Sequence, residues 1–422
     1  MHSVTNAIPT GTIASIPAKA HAHRALICAA LANSPSTILL SRTSKDIDAT
    51  MDSLRGLGAH VVYENKIVTV TPGPAPAKGN VVPHESGTTL RLLLPVAASI
   101  CNDVDVDAKG RLPDRPLEPM LGEMKAHGVT FSQDKPPFTM TGLLQGGNFS
   151  MVGDVSSQFF SGLLLAAPQI GLSTITSTTP LQSSDYVTLT TETMRDFGVE
   201  VEHTLPDTNI NEAFTVPFGA SFIGRDNYQI EGDWSNAAIW MVAAGMTGKP
   251  ITITGMNKNS VQADRRIMQV MIDAGCDVVW NGMNVTVTGR ASKPFHADLE
   301  QMPDMLPVMA ALSCSISGES SFVKGARLRL KESDRLVAVA NLVKDLGGTV
   351  REEGDDLYII GSGILKGGHG DCVNDHRLVM AGTLMALISE NPVTLKDSEA
   401  ITKSYPHFFE DWNLLGGNAQ PV

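Results

Sequence analysis

The sequence lacks the short motifs that mark a nucleotide-driven or zinc-dependent enzyme. There is no G-x-x-x-x-G-K-[ST] loop to cradle nucleotide phosphates. There is no G-x-G-x-x-G between a strand and a helix, and no H-E-x-x-H to hold zinc. His21 and His23 stand two apart, so on a helix they point to different faces and do not form a metal site. Neither a metal nor a cofactor is implied. Cysteine is scarce: Cys28, Cys101, Cys276, Cys314 and Cys372 are odd in number, far apart and without a C-x-x-C. They read as small buried thiols of a reducing compartment. No apolar run reaches the roughly 18 residues that a membrane helix needs. The nearest imitation of a secretory signal, "RALICAALANS", follows a Pro-containing, strand-like segment and reads as a core helix. Positive charge is in the minority, and the formal net charge is −12. This argues against a general nucleic-acid or membrane-surface binder, and any anion must be held by a local cationic site. The expectation is a soluble, cytoplasmic chain with no nucleic-acid or membrane partner. Nothing points to an obligate assembly, so a monomer is expected.

What the chain has in quantity is apolar residues, 42% of 422. Single cores stop growing near 250–300 residues, so two domains are expected. A helix-like run, a glycine and two strand-like runs recur, as in "SLRGLGAHVVYENKIVTVTPG" and "VMIDAGCDVVWNGMNVTVTG". The glycines are Gly58, Gly128, Gly198, Gly275, Gly347 and Gly416, at successive spacings of 70, 70, 77, 72 and 69. Glycine is suited to the left-handed conformation that commonly ends a helix. A truncated sixth copy, "EDWNLLGGN", closes the chain. Upstream of each glycine a polar cluster opens a nearly all-apolar helix, the pattern of a buried one. Each repeat therefore reads as strand, helix, strand, helix, strand, strand, with three repeats per domain. If a threefold axis relates them, the buried helices are parallel. Their N-termini then converge on one face, where helix dipoles and free N–H groups attract anions.

The helix starts carry the candidate chemistry. Lys19 and Arg24 flank the first, and Gly87, Thr88 and Arg91 belong to the second. Ser156, Ser157 and Gln158 open the third, Asp304 the fifth, and Asn374, Asp375, His376 and Arg377 the sixth. The second halves add Arg115, Ser183 with Tyr186, Arg265 with Arg266, Lys331 with Arg335, and Lys403. Any one Ser or Asp at a helix start reads most simply as a cap, and any one Lys or Arg as a solvated charge. Recurrence at equivalent ends of repeats, in an acidic protein, is what turns them into a site. In "LKESDRL", Lys331 and Arg335 are four apart and are expected to share a helix face. Asp334 reads there as a structural partner.

Taken together, "PAKAHAHRALICAALA", "ESGTTLR", "GRLPDRP", "GDVSSQFFSGLLLAAP", "EGDWSNAA", "MPDMLP", "LKESDRL", "NDHR" and "ITKSYPHFF" resemble the enolpyruvyl transferases. Within them, the shikimate 3-phosphate-dependent branch is the closer match. The stretches occur in the family's order across residues 17 to 409. The resemblance implies an α/β fold, a two-domain inside-out α/β barrel of six βαβαββ repeats. One domain would be 1–17 plus 232–422 and the other 18–231, with the active site in the cleft between them. It implies enolpyruvyl transfer from phosphoenolpyruvate to the 5-hydroxyl of shikimate 3-phosphate, without metal or organic cofactor.

By the same resemblance, Lys19, Ala20, Arg24, Ser156, Ser157, Gln158, Ser183, Tyr186, Asp304, Arg327 and Lys331 would meet shikimate 3-phosphate. Lys19, Gly87, Arg115, Gln158, Arg335, Arg377 and Lys403 would surround phosphoenolpyruvate. Asp304 would be the base for the attacking hydroxyl, and Glu332 would deliver and later remove the methylene proton. Lys19 and Lys331 would also act in catalysis. The chain departs from the family at Ala20, usually a Ser, and at Glu85, frequently an Asn. Leu92 stands where many members have Pro, and Arg327 where a substrate-binding Asn is common. Gly87 leaves room beside phosphoenolpyruvate, which implies inhibition by glyphosate. Two rival readings follow. One is a UDP-N-acetylglucosamine enolpyruvyl transferase, which usually carries a reactive Cys in the loop matching "AKGRLPDRP", where this chain has none. The other is a non-catalytic repeat scaffold that binds polyanions.

Overall fold

The computed structural model describes residues 1–207 and 211–422. The chain divides into two compact units, one formed by Met1–Ile16 with Glu231–Val422 and the other by Pro17–Ile230. Within the described residues there are six sheets, each of four strands.

The Pro17–Ile230 unit holds helices α1 (Lys19–Ala30), α2 (Lys45–Gly56), α3 (Gly87–Ile100), α4 (Met120–Ala126), α5 (Ser157–Ile170) and α6 (Asp185–Asp196). Its sheets are ordered Asn148–Met151, Ser173–Ser177, Ala213–Val216, Glu202–Thr204; Gly79–Val81, Asp103–Val106, Phe138–Thr141, Thr130–Phe131; and Tyr228–Gln229, Ser36–Leu39, Ile67–Thr71, His60–Glu64. In each, the first two strands are parallel and the remaining pairings antiparallel. The other unit holds α7 (Trp234–Thr247), α8 (Ile267–Asp273), α9 (Leu306–Cys314), α10 (Arg335–Asp345), α11 (His376–Ala386) and α12 (Phe408–Leu414). Its three sheets repeat the same order and the same mixture of parallel and antiparallel pairs.

Two strands depart from simple sequence order. Gly11–Ala14 immediately precedes α1, yet it pairs with Ile251–Thr254. Tyr228–Gln229 immediately precedes α7, yet it pairs with Ser36–Leu39. The strand ahead of each passage between units therefore belongs to the unit the chain is leaving. The truncated "EDWNLLGGN" copy is completed from the opposite end of the sequence. His2–Val4 lies between Val393–Lys396 and Ala419–Pro421, with Val4 facing Val393 on one side and Ala419 on the other.

The inner helices are apolar all round for a reason. Helices α1, α3 and α5 pack on one another, as do α7, α9 and α11. Every residue of α9 and α11 is buried. In α5, Leu163, Leu164 and Leu165 are all inaccessible, and each such side chain contributes roughly 1.5–3 kcal/mol of apolar transfer. Backbones also touch: a Cβ at Gly162 would sit 2.5 Å from the Arg91 carbonyl oxygen, so only glycine lets α5 lie this close to α3. The outer helices α2, α4, α6, α8, α10 and α12 each run into one of the six spaced glycines. All six have positive φ, between 87° and 104°. The five cysteines are free and buried. No described helix is long and apolar enough to cross a membrane.

Val4 is fully buried in the strand that joins the two ends of the chain. Val4→Ala is expected to lower the unfolding free energy by about 2 kcal/mol, read from the urea midpoint. Removing residues 1–5 should cost far more, because both neighbouring strands lose a ladder partner.

Candidate active site

Helix N-termini leave N–H groups without intrahelical partners, and here the sequence surrounds them with charge. In the Glu231–Val422 part, Asp304 lies in the 3-10 turn Pro303–Met305 that leads into α9. Three cations close on its carboxylate. Lys331 Nζ is 3.1 Å and Arg335 Nη1 2.8 Å from Oδ1, and Arg377 Nη2 is 3.2 Å from Oδ2. Burial pushes the Asp304 carboxyl up, but Arg377, Lys331 and Arg335 together outweigh it and hold the group well below the usual carboxylate range. Its stabilising effect is therefore complete above the unfolded carboxyl value near pH 4 and is lost only in stronger acid.

Arg335 is the hub of this cluster. It is 1% exposed, at the first position of α10. Its Nη2 donates to Glu332 Oε2 at 2.6 Å, its Nε to Asp375 Oδ2 at 2.9 Å, and its Nη1 to Asp304. Asp375 is itself the N-cap of α11, accepting from the Arg377 amide at 3.0 Å, and it takes a hydrogen bond from Ser333. Burial would lower the Arg335 pKa, yet Asp375, Glu332 and Asp304 reverse this and raise it. Lys331 differs: burial, aided by Arg335 and Arg327, lowers its ammonium pKa in spite of Asp304. Lys403 Nζ donates to the Asn374 carbonyl at 2.8 Å, one residue before the Asp375 cap.

One expectation fails here. Lys331 and Arg335 do not share a helix face. Lys331 follows the 3-10 turn Ala326–Leu330, and α10 begins only at Arg335 because Asp334 caps it, accepting from the Val337 amide at 3.3 Å. The two cations still converge, since both reach the same Asp304 oxygen. Arg265 and Arg266 are exposed and donate to the Lys258 and Ala263 carbonyls, outside this cluster.

The Pro17–Ile230 unit has its own cluster. Lys19, first residue of α1, forms a 2.7 Å ion pair with Asp46 of α2. Arg24 is 1% exposed and points among neutral oxygens. It donates to Thr190 Oγ1 at 2.6 Å, the Ala20 carbonyl at 2.7 Å, the Tyr186 carbonyl at 2.9 Å and Ser161 Oγ at 3.2 Å. No carboxylate is among these partners, and burial lowers its pKa to about 10. A buried cation balanced only by dipoles is costly, and a bound anion would offset that cost. Gly87 and Arg115 meet: a Cβ at Gly87 would lie 2.5 Å from Arg115 Nη1. Gln158 donates to Thr88 Oγ1 at 2.9 Å and accepts from Arg91 at 3.2 Å, while Arg91 also holds the Pro116 carbonyl at 3.1 Å. Ser156 caps α5, and Ser183, buried, adopts positive φ just ahead of Tyr186. His23 joins Thr50, which joins Thr89 and through it the α3 cap Ser86. Histidine thus braces the starts of α1 and α3.

Sequence reasoning did not mark Asp46, Ser161, Thr190 or Asp264, and it read Asp375 only as part of a helix opening. The signals were thin. Asp46 follows a Ser44 cap, where acids are ordinary first-turn residues. Asp264 sits beside two arginines that turn away to solvent. Asp375 should also matter to the fold, since its loss strands a buried guanidinium. Asp375→Ala is expected to destabilise this unit by about 3–5 kcal/mol, measured by urea unfolding, whereas Asp114→Ala in an exposed ion pair with Lys135 should shift stability by less than about 1 kcal/mol.

Comparison with known proteins places the chain. The family model described as EPSP synthase (3-phosphoshikimate 1-carboxyvinyltransferase) matches residues 7–412. The chain is 35% identical over 412 residues to the 3-phosphoshikimate 1-carboxyvinyltransferase of Clostridium kluyveri, covering 96% of this chain and 95% of that one. It is 34% identical over 417 residues to the enzyme of that name from Methanocorpusculum labreanum, covering 97% of each. Its fold is similar to EPSP synthase from Acinetobacter baumannii, with a TM-score of 0.80, 22% identity and coverage of 100% and 99%. It is also similar to the enolpyruvyl transferase NikO from Streptomyces tendae, with a TM-score of 0.76, 18% identity and coverage of 99% and 98%. On the extent of the family match and of the relatives' identity, the chain belongs to the EPSP synthase (3-phosphoshikimate 1-carboxyvinyltransferase) family.

Proposed function

We propose that this protein transfers the enolpyruvyl group of phosphoenolpyruvate to the 5-hydroxyl of shikimate 3-phosphate, releasing phosphate, in the route to chorismate and the aromatic amino acids. The observation that carries the reading is Asp304, a carboxylate with Lys331, Arg335 and Arg377 on its two oxygens. The supporting observation is Arg24, a buried guanidinium held only by neutral groups. Both suit substrates that carry phosphate and carboxylate. Paired N–H donors of arginine match such oxyanions well.

Shikimate 3-phosphate would be held by Lys19, Arg24, Ser156, Ser157, Gln158, Ser183, Tyr186, Asp304, Arg327 and Lys331. It would lie beside the Ala20 methyl, where no hydroxyl is offered. Phosphoenolpyruvate would be held by Lys19, the Gly87 backbone, Arg115, Gln158, Arg335, Arg377 and Lys403. The finer architecture in this reading is a two-domain inside-out α/β barrel of six βαβαββ repeats, working as a cytoplasmic monomer.

The chemistry follows from charge. In the unliganded cluster Asp304 is a weak base, because three cations stabilise its anion. Phosphate and carboxylate groups that draw Lys331, Arg335 and Arg377 toward themselves would lessen that stabilisation and raise its basicity. Asp304 then takes the proton of the 5-hydroxyl as the oxygen bonds to C2 of phosphoenolpyruvate. Glu332, paired with Arg335 at 2.6 Å when ionised, would take up a proton from solvent as substrate anions draw Arg335 away, and would supply it to turn the methylene into a methyl. In the second step the bond from C2 to the phosphate oxygen breaks, phosphate leaves among the cations, and Glu332 recovers the methyl proton. Separate carboxylates for the two proton transfers, within a cationic cage, meet the demands of an addition–elimination.

Mixing the folded protein with both substrates should release phosphate continuously. Its absence would overturn the reading. Asp304→Ala together with Glu332→Gln should lower kcat by at least about 10²-fold in protein whose far-UV circular dichroism shows that it is still folded, whereas a polyanion-binding scaffold predicts unchanged anion binding and no turnover to lose. Glyphosate at millimolar concentration should inhibit the unaltered protein in competition with phosphoenolpyruvate, because Gly87 carries no side chain to push the Arg115 guanidinium aside, where a Cβ would lie 2.5 Å from Nη1. Unchanged turnover would count against Gly87 lining it.

A further inference from the structure

His23 takes no part in the steps above, yet a relay of hydrogen bonds runs from it to the start of α3. Its Nδ1 lies 2.6 Å from Thr50 Oγ1, which lies 2.7 Å from Thr89 Oγ1. Thr89 Oγ1 reaches the Ser86 hydroxyl at 2.7 Å and the Asp46 carbonyl at 3.3 Å. Ser86 is the N-cap of α3 and accepts from the Thr89 amide at 3.2 Å. His23, Thr50 and Thr89 are inaccessible, on α1, α2 and α3 in turn. Polar groups buried this deeply are costly unless each proton has a place to go.

Counting protons gives the relay a direction. A hydroxyl has one proton to donate. That of Thr89 goes to Ser86 or to the Asp46 carbonyl, so toward Thr50 the Thr89 oxygen accepts. Thr50 gives its own proton to Thr89 and must therefore accept from His23. The ring is protonated at Nδ1, and Nε2, which has no hydrogen-bond partner in the interior, is the nitrogen without a proton. Burial, with Lys19 and Arg24 adding to it, holds the imidazole well below its ordinary pKa, so it is neutral. At the far end of the relay, Gly87 follows the Ser86 cap as the first residue of α3, and a Cβ there would lie 2.5 Å from Arg115 Nη1. Arg24 and Ser156 hydrogen-bond to other groups, outside the relay.

We propose that His23 is a positioning residue for phosphoenolpyruvate: its Nδ1–H, relayed by Thr50 and Thr89, orders the Ser86 cap and so fixes the Gly87 backbone beside Arg115. The proposal rests on the reading that Gly87 and Arg115 meet phosphoenolpyruvate. Shikimate 3-phosphate, which that reading gives to Arg24 and Ser156 among others, depends on the relay far less.

The test uses the full-length protein. Thr50→Val keeps the shape of the side chain and removes the hydroxyl, whereas Thr50→Ser keeps the hydroxyl. Thr50→Val should raise KM for phosphoenolpyruvate about fivefold or more and KM for shikimate 3-phosphate by less than about twofold, on the scale of one hydrogen bond. Thr50→Ser should return the first of these close to the unaltered value. If Thr50→Val does not fold, His23→Asn and His23→Gln decide. The first puts an amide N–H where Nδ1 stands and the second where Nε2 stands, so only His23→Gln should raise KM for phosphoenolpyruvate. Equal rises in both KM values, no rise in either, a Thr50→Ser variant no better than Thr50→Val, or His23 variants that behave alike overturn the proposal, while phosphate release still upholds the transferase reading. No phosphate release from the unaltered protein removes both.

Discussion

Everything at the charged end of the Glu231–Val422 part depends on one buried guanidinium. Arg335 is all but inaccessible, and a cation there would be expelled if it were not met on every side. It is met by Asp304, Glu332 and Asp375, each from a different segment. The constraint works in both directions. Three carboxylates this close would repel one another without Arg335, so the arginine fixes where Asp304 and Glu332 stand. Asp375 does not only neutralise charge, since it also caps α11 and sets the direction of the Arg377 backbone. The start of one inner helix, the turn ahead of another and the start of an outer helix are thereby tied into one rigid piece.

That tie is possible because the helices behind it have no choice of position. Helices α9 and α11 bury every residue, so they must be covered on all sides, by each other, by α7 and α10 and by the flanking strands. Helices α3 and α5 approach so closely that Gly162 admits no side chain. Dense interiors hold polar groups at their ends to within a fraction of an ångström. The Pro17–Ile230 unit uses the same device for different chemistry. Arg24 is fixed by Thr190, Ser161 and two carbonyls, none of them charged, so its positive charge is held in place without being cancelled. Lys19, by contrast, is neutralised by Asp46. The Glu231–Val422 cluster pairs its cations with carboxylates, while Arg24 donates to neutral oxygens alone.

Much of this was legible in the sequence, and what was not has physical reasons. The spaced glycines mark the ends of α2, α4, α6, α8, α10 and α12 because a left-handed residue leaves a strong trace. The all-apolar runs mark the inner helices because all-round burial admits little else. The strand His2–Val4 was invisible: three residues carry no periodicity, and its partners lie at the far end of the chain. Tyr228–Gln229 is shorter still. The spacing of Lys331 and Arg335 misled for a local reason, since the Asp334 cap begins the helix after Lys331 and the four-residue rule applies only within a helix. Asp264 escaped notice because burial is a property of the fold. In the sequence it stands beside two solvent-facing arginines and looks like their surface partner.

The balance of charge around Asp304 constrains the order of events in the proposed reaction. Lys331, Arg335 and Arg377 are each already paired with a carboxylate, of Asp304, Glu332 or Asp375, before any ligand arrives. An anionic substrate therefore does not meet bare positive charge. It must exchange partners, drawing a cation partly away from a carboxylate that already holds it. Each such exchange makes the abandoned carboxylate a better base. In the proposed reaction, proton removal from the hydroxyl would then be coupled to the arrival of phosphoenolpyruvate, which would draw Arg335 and Arg377 away from Asp304. A site built from uncompensated cations would bind the same anions more tightly, but it would leave its base unchanged on binding and would gain nothing in the transition state.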